Sequence, residues 1–259
     1  MRIAGRSADR NHHGEFSGKV AIVTGGSKGI GRVVARQLID QGAQVVIIGR
    51  DETALAETQR ALGEKSLYVA GDVSDPSTAT RAVVAATDNF GGLDILINVA
   101  GIFPTARIEE TTDALYADTI AANLTGTVMM CRAAFAILRQ RRGVIVNMSS
   151  TAARFPTPGL SAYGAAKAGV EAFTRTLAAE GAPYIRANAV SAGPTRTETV
   201  DALLQSDTTG AVETVTSGLP LGRLGDTDEI ADAILFLASD RASFITGQVL
   251  HANGGGLMA

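Results

Sequence analysis

The chain has 259 residues, of which 46% are hydrophobic and 19% charged, and its formal net charge is -3. This composition is typical of a soluble globular protein, and the lack of a basic excess argues against a nucleic-acid partner. The sequence has no apolar run near the ~20 residues of a membrane span and no apolar core of a secretory signal. The single cysteine, Cys131, suits a reducing cytosol, and we expect a cytoplasmic protein.

Short apolar runs alternate with longer helical patterns along the chain. Continuously apolar runs such as residues 45–48 indicate strands covered by helices on both faces, as in a parallel sheet. The pattern predicts an α/β fold, a doubly wound parallel sheet in a single domain. The predicted strands are Val20–Thr24, Gln44–Gly49, Ser66–Gly71, Asp94–Val99, Gly143–Ser149, Ile185–Val190 and Gln248–His251, and the predicted helices lie near Gly29–Gln41, Glu52–Leu62, Pro76–Phe90, Thr112–Arg139, Ser161–Gly181 and Asp226–Ser239.

Two segments fall outside this alternation. Residues 1–18 are polar and predict a flexible N-terminal arm ahead of a domain at 19–259, so His12 and His13 are interpreted as solvated tail rather than metal ligands. Residues 193–220 follow a predicted strand and show no strong hydrophobic periodicity. A segment at that place overhangs the crevice where ligands bind in open α/β sheets. We interpret it as a substrate lid, with a peripheral loop as the alternative.

A glycine-rich turn joins the first predicted strand to the first helix. Its spacing, Gly-x-x-x-Gly-x-Gly, allows the backbone to approach a pyrophosphate, which the free N–H groups of the helix N-terminus attract. The position between strand and helix favours dinucleotide binding over a plain turn. The expected cofactor-binding residues of this turn are Gly25, Ser27, Lys28, Gly29, Ile30 and Gly31.

The end of the second strand bears on the choice of cofactor. In dinucleotide folds an acid about 20 residues beyond the glycines binds the ribose 2′-OH, but Gly49 stands there and Arg50 follows. Arg50 and Lys28 are two cations that suit a 2′-phosphate, so NADP(H) is favoured over NAD(H). Asp51 and Glu52 compete for a ribose hydroxyl, but acids are also favoured at the start of the next helix.

The third and fourth strands end in residues suited to the same cofactor. Asp72, followed by Val73, is expected to accept the adenine amino group, with a helix cap as the alternative. Asn98, Ala100 and Gly101 end the fourth strand, where small residues let a cofactor lie against the backbone.

Tyr163 and Lys167 are one helical turn apart in the predicted helix 161–181, and Ser150 precedes Tyr163 by thirteen residues. A cation beside a phenol is expected to lower the tyrosine pKa from about 10, which makes the phenol a usable proton donor and acceptor. Taken alone, the pair also suits an ordinary amphipathic helix.

Together these elements resemble the short-chain dehydrogenase/reductase family, from Lys19 to about Leu257. The matching residues are Thr24-Gly25-x3-Gly29-x-Gly31, Asp72, Asn98-x-Ala100-Gly101, Asn123, Ser150, Tyr163-x3-Lys167 and the turn from Gly193 to Thr197. The resemblance implies a Rossmann-type sheet of seven strands, a nicotinamide cofactor, no metal and a catalytic tetrad of Asn123, Ser150, Tyr163 and Lys167.

The resemblance also implies a role for each tetrad member. Tyr163 acts as general acid in carbonyl reduction and as base in the reverse direction. Lys167 lowers the Tyr163 pKa and holds the nicotinamide ribose, and Ser150, preferred to Ser149 by its spacing, hydrogen-bonds the carbonyl oxygen. Asn123, in a long helix, holds a water next to Lys167, with a polar residue at a helix kink as the alternative.

Two places depart from the family pattern. Val99 replaces the second asparagine of Asn-Asn-Ala-Gly, and Ala192 replaces the proline of Asn-Pro-Gly. The turn that follows Ala192 is still expected to meet the carboxamide and pyrophosphate, through Gly193, Pro194, Thr195 and Thr197.

Within the family, the chain is most similar to the 3-oxoacyl-(acyl-carrier-protein) reductase type. The end Leu250-His251-Ala252-Asn253-Gly254-Gly255 resembles that group, and Arg141 matches one of two basic positions used there against the carrier protein. An apolar pocket is predicted from Phe103, Phe155, Leu160, Val200, Leu203 and Leu204, and Arg154 and Arg196 are candidates for a substrate carboxylate.

Three functions therefore stay open. The first is an NADP(H)-dependent reductase of a 3-oxoacyl thioester or other small ketone, the second an NAD-dependent alcohol, polyol or sugar dehydrogenase, and the third a non-catalytic dinucleotide-binding regulator. The small residues of the helix 161–181 favour close approach to a second copy, and family members often form tetramers, so a homotetramer is predicted, with a dimer as the alternative.

Overall fold

A computed structural model of the chain describes residues 14–198, 200–201 and 216–258. The strands with defined bounds are β1 (Val20–Thr24), β2 (Gln44–Gly49), β3 (Ser66–Ala70), β4 (Ile95–Asn98), β5 (Val144–Ser150), β6 (Arg186–Ala192), β7 (Thr195–Arg196), β8 (Gly225–Asp226) and β9 (Val249–Ala252). The α-helices with defined bounds are α1 (Gly29–Asp40), α2 (Glu52–Leu62), α3 (Pro76–Phe90), α4 (Asp113–Ile120), α5 (Gly126–Arg141), α6 (Ser161–Gly181) and α7 (Thr227–Ala238).

The main sheet has seven strands in the order β3-β2-β1-β4-β5-β6-β9, and every neighbouring pair is parallel. At the carboxyl edge, Thr24 of β1 lies opposite Asn98 of β4, and Asn98 lies opposite Asn147 of β5. The predicted doubly wound fold of seven parallel strands is confirmed. Its strand order reverses between β1 and β4, which places a ligand crevice beside the loops that follow them.

The core lies on both faces of this sheet, which explains the continuously apolar strands. Alternate residues of β1 serve opposite faces: Val23 packs in one core cluster with Val34 of α1 and Ile234 of α7, while Ile22 packs in the other with Met130 of α5. A strand buried on both faces has no polar side to show in its sequence.

The long helix predicted at Thr112–Arg139 is interrupted. A π-helical turn at Ala121–Thr125 separates α4 from α5, and it contains Asn123. The Asn123 amide nitrogen donates to the carbonyl oxygens of Thr119 at 2.9 Å and of Ile102 at 3.0 Å. Such turns often occur at functional sites, and hydrophobic periodicity does not report them.

By length and composition alone, the continuous helical element Asp113–Arg141 could cross a membrane, although the sequence was expected to lack such a run. A third of its most apolar window is buried inside the chain. One such helix is weak evidence of a membrane span, because the mostly buried core helices of soluble proteins pass the same test.

The predicted arm at residues 1–18 lies mostly outside the described residues, His12 and His13 included. Its end is packed on the domain: Phe16 is 2% exposed, and its N–H donates to the Gln41 carbonyl oxygen at 3.0 Å. The expectation of a flexible arm through Gly18 is therefore wrong at Phe16, because an aromatic side chain in the arm completes the core beside α1.

The predicted lid at residues 193–220 is described only at its two ends. Thr195 and Arg196 in β7 pair with Gly225 and Asp226 in β8, which ties the start of the segment to the residues just after it. Leu203 and Leu204, expected in the substrate pocket, lie outside the described residues. The lid therefore remains a prediction.

Candidate active site

The glycine loop after β1 packs directly against the end of β4. A Cβ atom placed on Gly25, whose φ is +69°, would lie 3.0 Å from the Ala100 Cα, and one on Gly31 would lie 2.3 Å from the Gly25 carbonyl oxygen. The Thr24 hydroxyl accepts hydrogen bonds from the N–H groups of Val99 and Ala100, both at 3.0 Å. These contacts leave no room for side chains at Gly25 and Gly31. The loop backbone and the N–H groups at the start of α1 are therefore accessible to an anionic ligand.

Two exposed cations lie at the ends of neighbouring strands: Lys28 in the glycine loop after β1, and Arg50 directly after β2. Lys28 and Arg50 are exposed, and neither forms an ion pair with any residue that the structure describes. Ser27 lies beside the end of β2, since a Cβ atom on Gly49 would be 3.3 Å from its hydroxyl oxygen. Asp51 is the N-cap of α2 and accepts from the Ala54 N–H at 3.0 Å, which confirms the expectation that it starts this helix.

Asp72 and Val73 follow β3. One carboxylate oxygen of Asp72 accepts from the N–H and hydroxyl of Ser74, at 2.8 and 2.7 Å, and these hydrogen bonds hold the pKa of Asp72 below its usual value, with a smaller contribution from Arg50. The cap of α3 is Asp75, so the alternative interpretation of Asp72 as that cap is wrong. Val73 is buried against Gly126, where an added Cβ atom would be 2.4 Å from its Cγ2.

Asn98 has its side chain in the core. Its amide nitrogen donates to the Asn147 side-chain oxygen at 2.9 Å and lies 3.3 Å from the Cys131 sulfur, and the Asn147 amide donates to the Thr174 hydroxyl at 2.9 Å. This buried series of hydrogen bonds joins β4, β5 and α6. Because its side chain is used in this way, Asn98 can contribute to the ligand crevice only through its backbone. Burial raises the pKa of the Cys131 thiol to about 12, in keeping with the small core residue expected there.

Ser150, Tyr163 and Lys167 come together where β5 meets the start of α6. The Lys167 ammonium is buried; its Nζ donates to the Met148 carbonyl oxygen at 3.0 Å and lies 5.6 Å from the Tyr163 ring centroid. The Ser150 side chain lies near enough to the Tyr163 phenol to act on its pKa, in the lowering direction. Ser149 points elsewhere, since its hydroxyl donates to Glu171 at 3.0 Å. Of the two serines, Ser150 is therefore the one that reaches the phenol.

The pKa of Tyr163 moves opposite to the direction expected from the sequence. Burial raises it above the ordinary value, and the hydrogen bond with Ser150 acts in the lowering direction without reversing the shift. Burial also lowers the pKa of Lys167 to about 8. The expectation that Lys167 lowers the Tyr163 pKa is therefore wrong for the chain by itself, because desolvation of the phenol is the largest influence on its pKa.

Asn123, on the π-helical turn, lies close to Lys167. Its side-chain oxygen is buried and has no hydrogen-bond partner among the described residues. A Cβ atom on Gly101 would lie 2.4 Å from that oxygen and 3.6 Å from Lys167 Nζ. A side chain at position 101 would therefore clash with the amide oxygen, and Gly101 lets Asn123 lie close to Lys167. The unpartnered oxygen suits a hydrogen bond from a water.

The turn after β6 lies over the glycine loop. A Cβ atom on Gly29 would be 3.8 Å from the Thr197 methyl carbon, and one on Gly193 would be 2.6 Å from the Asn253 Cα. The Thr195 hydroxyl donates to the Gly193 carbonyl oxygen at 2.9 Å, and the Pro194 carbonyl oxygen accepts from the Gly225 N–H at 3.0 Å. The turn thus lies against the glycine loop, even with Ala192 in place of proline.

Several contacts at the site were not foreseen from the sequence. The Phe103 ring meets the Tyr163 ring edge-on, with centroids 4.9 Å apart. Both arginines proposed for a substrate carboxylate already pair with acids: Arg154 with Glu171 at 3.0 Å, and Arg196 with Asp201 at 3.6 Å. Glu171 follows Lys167 by one helical turn, a spacing that gives the only sequence signal for it.

These residues fit a nicotinamide dinucleotide. The closely packed glycine loop suits its pyrophosphate, and the unpartnered oxygen of Asn123 and the ammonium of Lys167 suit polar groups of such a ligand. Lys28 in the loop and Arg50 after β2, which form no ion pair with a described residue, suit a further phosphate.

Comparison with known proteins agrees with this geometry. A family model described as "Enoyl-(Acyl carrier protein) reductase" matches residues 25–256. The chain is 37% identical over 242 residues to the 3-oxoacyl-(acyl-carrier-protein) reductase FabG of Vibrio cholerae serotype O1, covering 93% of this chain and 98% of that protein. It is also 37% identical over 247 residues to an uncharacterized oxidoreductase of Thermotoga maritima, with the same coverage.

Solved structures give the same result. A short-chain dehydrogenase/reductase described as SDR:Glucose/ribitol dehydrogenase, from Brucella melitensis, superposes with a TM-score of 0.90 at 34% identity, over 95% of this chain and 100% of that one. A second short chain dehydrogenase/reductase family protein superposes with a TM-score of 0.85 at 40% identity, over 93% of this chain and 98% of that one. The chain therefore belongs to the short-chain dehydrogenase/reductase family of oxidoreductases, which use a nicotinamide dinucleotide.

Proposed function

We propose that the chain is an NADP(H)-dependent ketoreductase whose substrate is a 3-oxoacyl thioester or another small ketone. The observation that carries this proposal is the contact of Tyr163 with Ser150 beside the buried Lys167 ammonium. Two hydroxyls that converge in this way suit a carbonyl oxygen, which gains negative charge and then a proton when the ketone is reduced.

When bound, the cofactor supplies the hydride. Ser150 holds the carbonyl oxygen, and Tyr163 donates the proton to it. The raised pKa of the phenol keeps it protonated at neutral pH, as a proton donor must be, and Lys167 is largely charged there and stabilises the phenolate that is left. The unpartnered amide oxygen of Asn123, close to Lys167, would hold a water that replaces that proton.

The choice of NADP(H) over NAD(H) rests on the end of β2. Lys28 and Arg50 are exposed beside the loop and free of ion pairs within the described part of the chain, so both are available to a 2′-phosphate. Asp51 uses its carboxylate to cap α2, and no acid stands at Gly49 to repel that phosphate.

The substrate class rests on the curated relatives and on the residues near Tyr163. The relatives from Vibrio cholerae and Escherichia coli are named as 3-oxoacyl-(acyl-carrier-protein) reductases. Phe103 and Phe155 are about half exposed and give the site an apolar rim, while Arg154 is already paired. An uncharged substrate end suits these surroundings better than a carboxylate.

A carrier protein, being acidic, would meet the end of α5. Arg139 and Arg142 flank the Tyr184 ring, with guanidinium carbons 5.1 and 5.3 Å from its centroid, whereas Arg141 is drawn toward Asp94 at 3.4 Å. Of the two basic positions that the carrier-protein reductases use, the second falls near Tyr184 in this chain and holds no basic residue. The two arginines beside the Tyr184 ring supply positive charge there. This arrangement supports a carrier-protein or coenzyme A thioester as the substrate form.

Three other functions compete. The likeness to a protein named glucose/ribitol dehydrogenase favours an NAD-dependent alcohol, polyol or sugar dehydrogenase that uses the same tetrad in reverse. The family description names an enoyl reductase, which reduces a carbon–carbon double bond instead. A non-catalytic dinucleotide-binding regulator would have no use for Ser150 and Tyr163 together.

One assay separates these functions. The protein is incubated with NADPH or NADH and, in parallel, with acetoacetyl thioester, diketones, aryl ketones and a crotonyl thioester; polyols and sugars are tested with NADP+ or NAD+. Oxidation of NADPH by the ketones, but not by the crotonyl thioester, is expected. Turnover with polyols and NAD+ alone would favour the dehydrogenase, and tight NADPH binding without any turnover would favour the regulator.

We further propose a cytoplasmic homotetramer, with a dimer as the alternative. The support is the apolar α4–α5 element, many of whose residues are only partly buried within their own chain. The glycines of α6 support it less than the sequence suggested, because Gly164 packs against the Ala152 carbonyl and Gly169 against Leu124 of the same chain. Light scattering at micromolar concentration tests this proposal, and a monomeric mass would refute it.

A further inference from the structure

Glu171 is a buried acid that the proposed reaction does not use. It lies on α6 one turn beyond Lys167 and two turns beyond Tyr163, so the three side chains share the helix face that meets β5. Its side chain is 4% exposed. A carboxylate is costly to bury without partners, and its presence beside the tetrad therefore calls for an account of what it holds.

Two of its partners flank the catalytic serine in the sequence. Ser149, on the N-terminal side of Ser150, donates to one carboxylate oxygen at 3.0 Å. Arg154, on the C-terminal side, donates its Nε–H to the other oxygen at 3.0 Å. Arg175 contributes a more distant charge, 4.0 Å away and half exposed.

The segment between these two partners is short and packed. Ser150 accepts from the Ala152 N–H at 3.2 Å and begins the one-turn 3-10 helix Thr151–Ala153, and the Arg154 N–H donates to the Thr151 carbonyl oxygen at 3.0 Å. A Cβ atom on Gly164 would be 2.6 Å from the Ala152 carbonyl oxygen, so the turn rests directly on the residue after Tyr163. A shift of Arg154 or Ser149 would therefore be transmitted to Ser150.

We propose that Glu171 is a positioning residue: its carboxylate holds Ser149 and Arg154, and thereby fixes Ser150 against the Tyr163 hydroxyl. The inference rests on the proposed ketoreductase function. It extends the tetrad by a buried acid that acts through the serine and touches neither substrate nor cofactor. Because a misplacement of about 1 Å near a reacting centre costs up to about a hundredfold in rate, we expect a kinetic effect beyond any effect on stability.

The test uses Glu171→Gln, which keeps the shape and an acceptor for Ser149 but removes the charge that holds Arg154. Ser149→Ala and Arg154→Met remove the two contacts one at a time and serve if Glu171→Gln fails to fold. Glu180→Gln, at the exposed end of the same helix, is the matched control. We expect kcat for ketone reduction to fall roughly tenfold or more in the three variants, with the NADPH Kd unchanged.

A second readout separates positioning from stability. The Ser150 hydrogen bond acts to lower the Tyr163 pKa, so losing it should move the acid limb of the kcat/KM profile for alcohol oxidation to higher pH. Oxidation needs the phenolate, so this limb follows the phenol. Carbon-labelled tyrosine observed by NMR reports the same titration without turnover, with Tyr163→Phe assigning the signal.

The outcomes are distinct. A fall in kcat together with an upward shift of the Tyr163 titration supports the proposal. Unchanged kcat and titration in Glu171→Gln and Ser149→Ala overturn it, as does a loss limited to thermal stability. If the parent protein turns over no substrate, the ketoreductase function fails, and the NMR titration still decides whether Glu171 acts on Ser150 and Tyr163.

Discussion

Lys167 donates its Nζ–H to the Met148 carbonyl oxygen at 3.0 Å and lies 5.6 Å from the centroid of the Tyr163 ring. The strand therefore fixes the ammonium beside the phenol. Burial lowers the pKa of Lys167 to about 8, which still leaves it mostly charged at neutral pH. Near neutral pH both groups keep their protons. The pair is thus set for proton donation to a ketone, and alcohol oxidation would be favoured at higher pH.

Tyr163→Phe should abolish most turnover. The variant keeps the ring and its edge-on contact with Phe103 but loses the hydroxyl. General acid catalysis contributes about 10²–10⁴ to the rate, so kcat should fall by that range while the cofactor Kd stays unchanged. Steady-state kinetics and fluorescence titration measure both. Tyr116→Phe, on exposed α4, is the control; equal turnover in the two variants would refute the role of the phenol.

The buried amine predicts how stability depends on pH. Lys167 has an ordinary pKa of 10.5, and burial lowers it to about 8 in the folded chain. Between these values the unfolded chain binds more protons, so the free energy of unfolding should rise with pH, by at most about 1.4 kcal/mol per pH unit for one group. Cys131 opposes this above pH 9.0, because burial raises its pKa to about 12.

The free energy of unfolding of the parent protein, measured with urea from pH 7 to pH 9, should therefore begin to rise near pH 8. The free energy of unfolding of Lys167→Met should depend less on pH over this range, since the substitution removes the titrating group. A slope that is the same in both proteins would mean that Lys167 does not carry the shift.

Gly101→Ala should disturb the space between Asn123 and Lys167. The added methyl would meet the Asn123 side-chain oxygen at 2.4 Å, well inside contact distance. We expect kcat to fall by up to about a hundredfold and the melting temperature to drop. Adding Asn123→Ala removes the clashing amide and should restore the melting temperature but not the activity. If the two changes destabilise additively, the clash is not the cause.

Arg50→Asp should change the cofactor preference. A hydrogen bond to a charged group contributes about 1.5–3 kcal/mol, and a carboxylate would repel the 2′-phosphate, so the KM for NADPH should rise at least about tenfold while that for NADH changes little. Arg60→Asp, on the exposed face of α2, makes the same charge change away from the proposed phosphate site. A parent enzyme that prefers NADH tenfold would contradict the NADP(H) assignment itself.

Much of the architecture follows from local pattern. The continuously apolar runs at β1 and β2 and the caps of α2 and α3 are short-range features, and their bounds agree with prediction at Val20–Thr24, Gln44–Gly49, Glu52–Leu62 and Pro76–Phe90. The spacing of Tyr163 and Lys167 likewise places them together, because residues one helical turn apart lie on one face.

The sequence by itself thus determined the parallel sheet, the glycine loop and the pairing of a phenol with an amine. The tertiary structure decided the rest: the upward direction of the Tyr163 pKa, the π-helical turn at Asn123, the burial of Asn98 and the capture of Arg154 by Glu171. The reason is that desolvation and ion pairing depend on what distant segments bring to the same place. Periodicity and spacing report only neighbours along the chain.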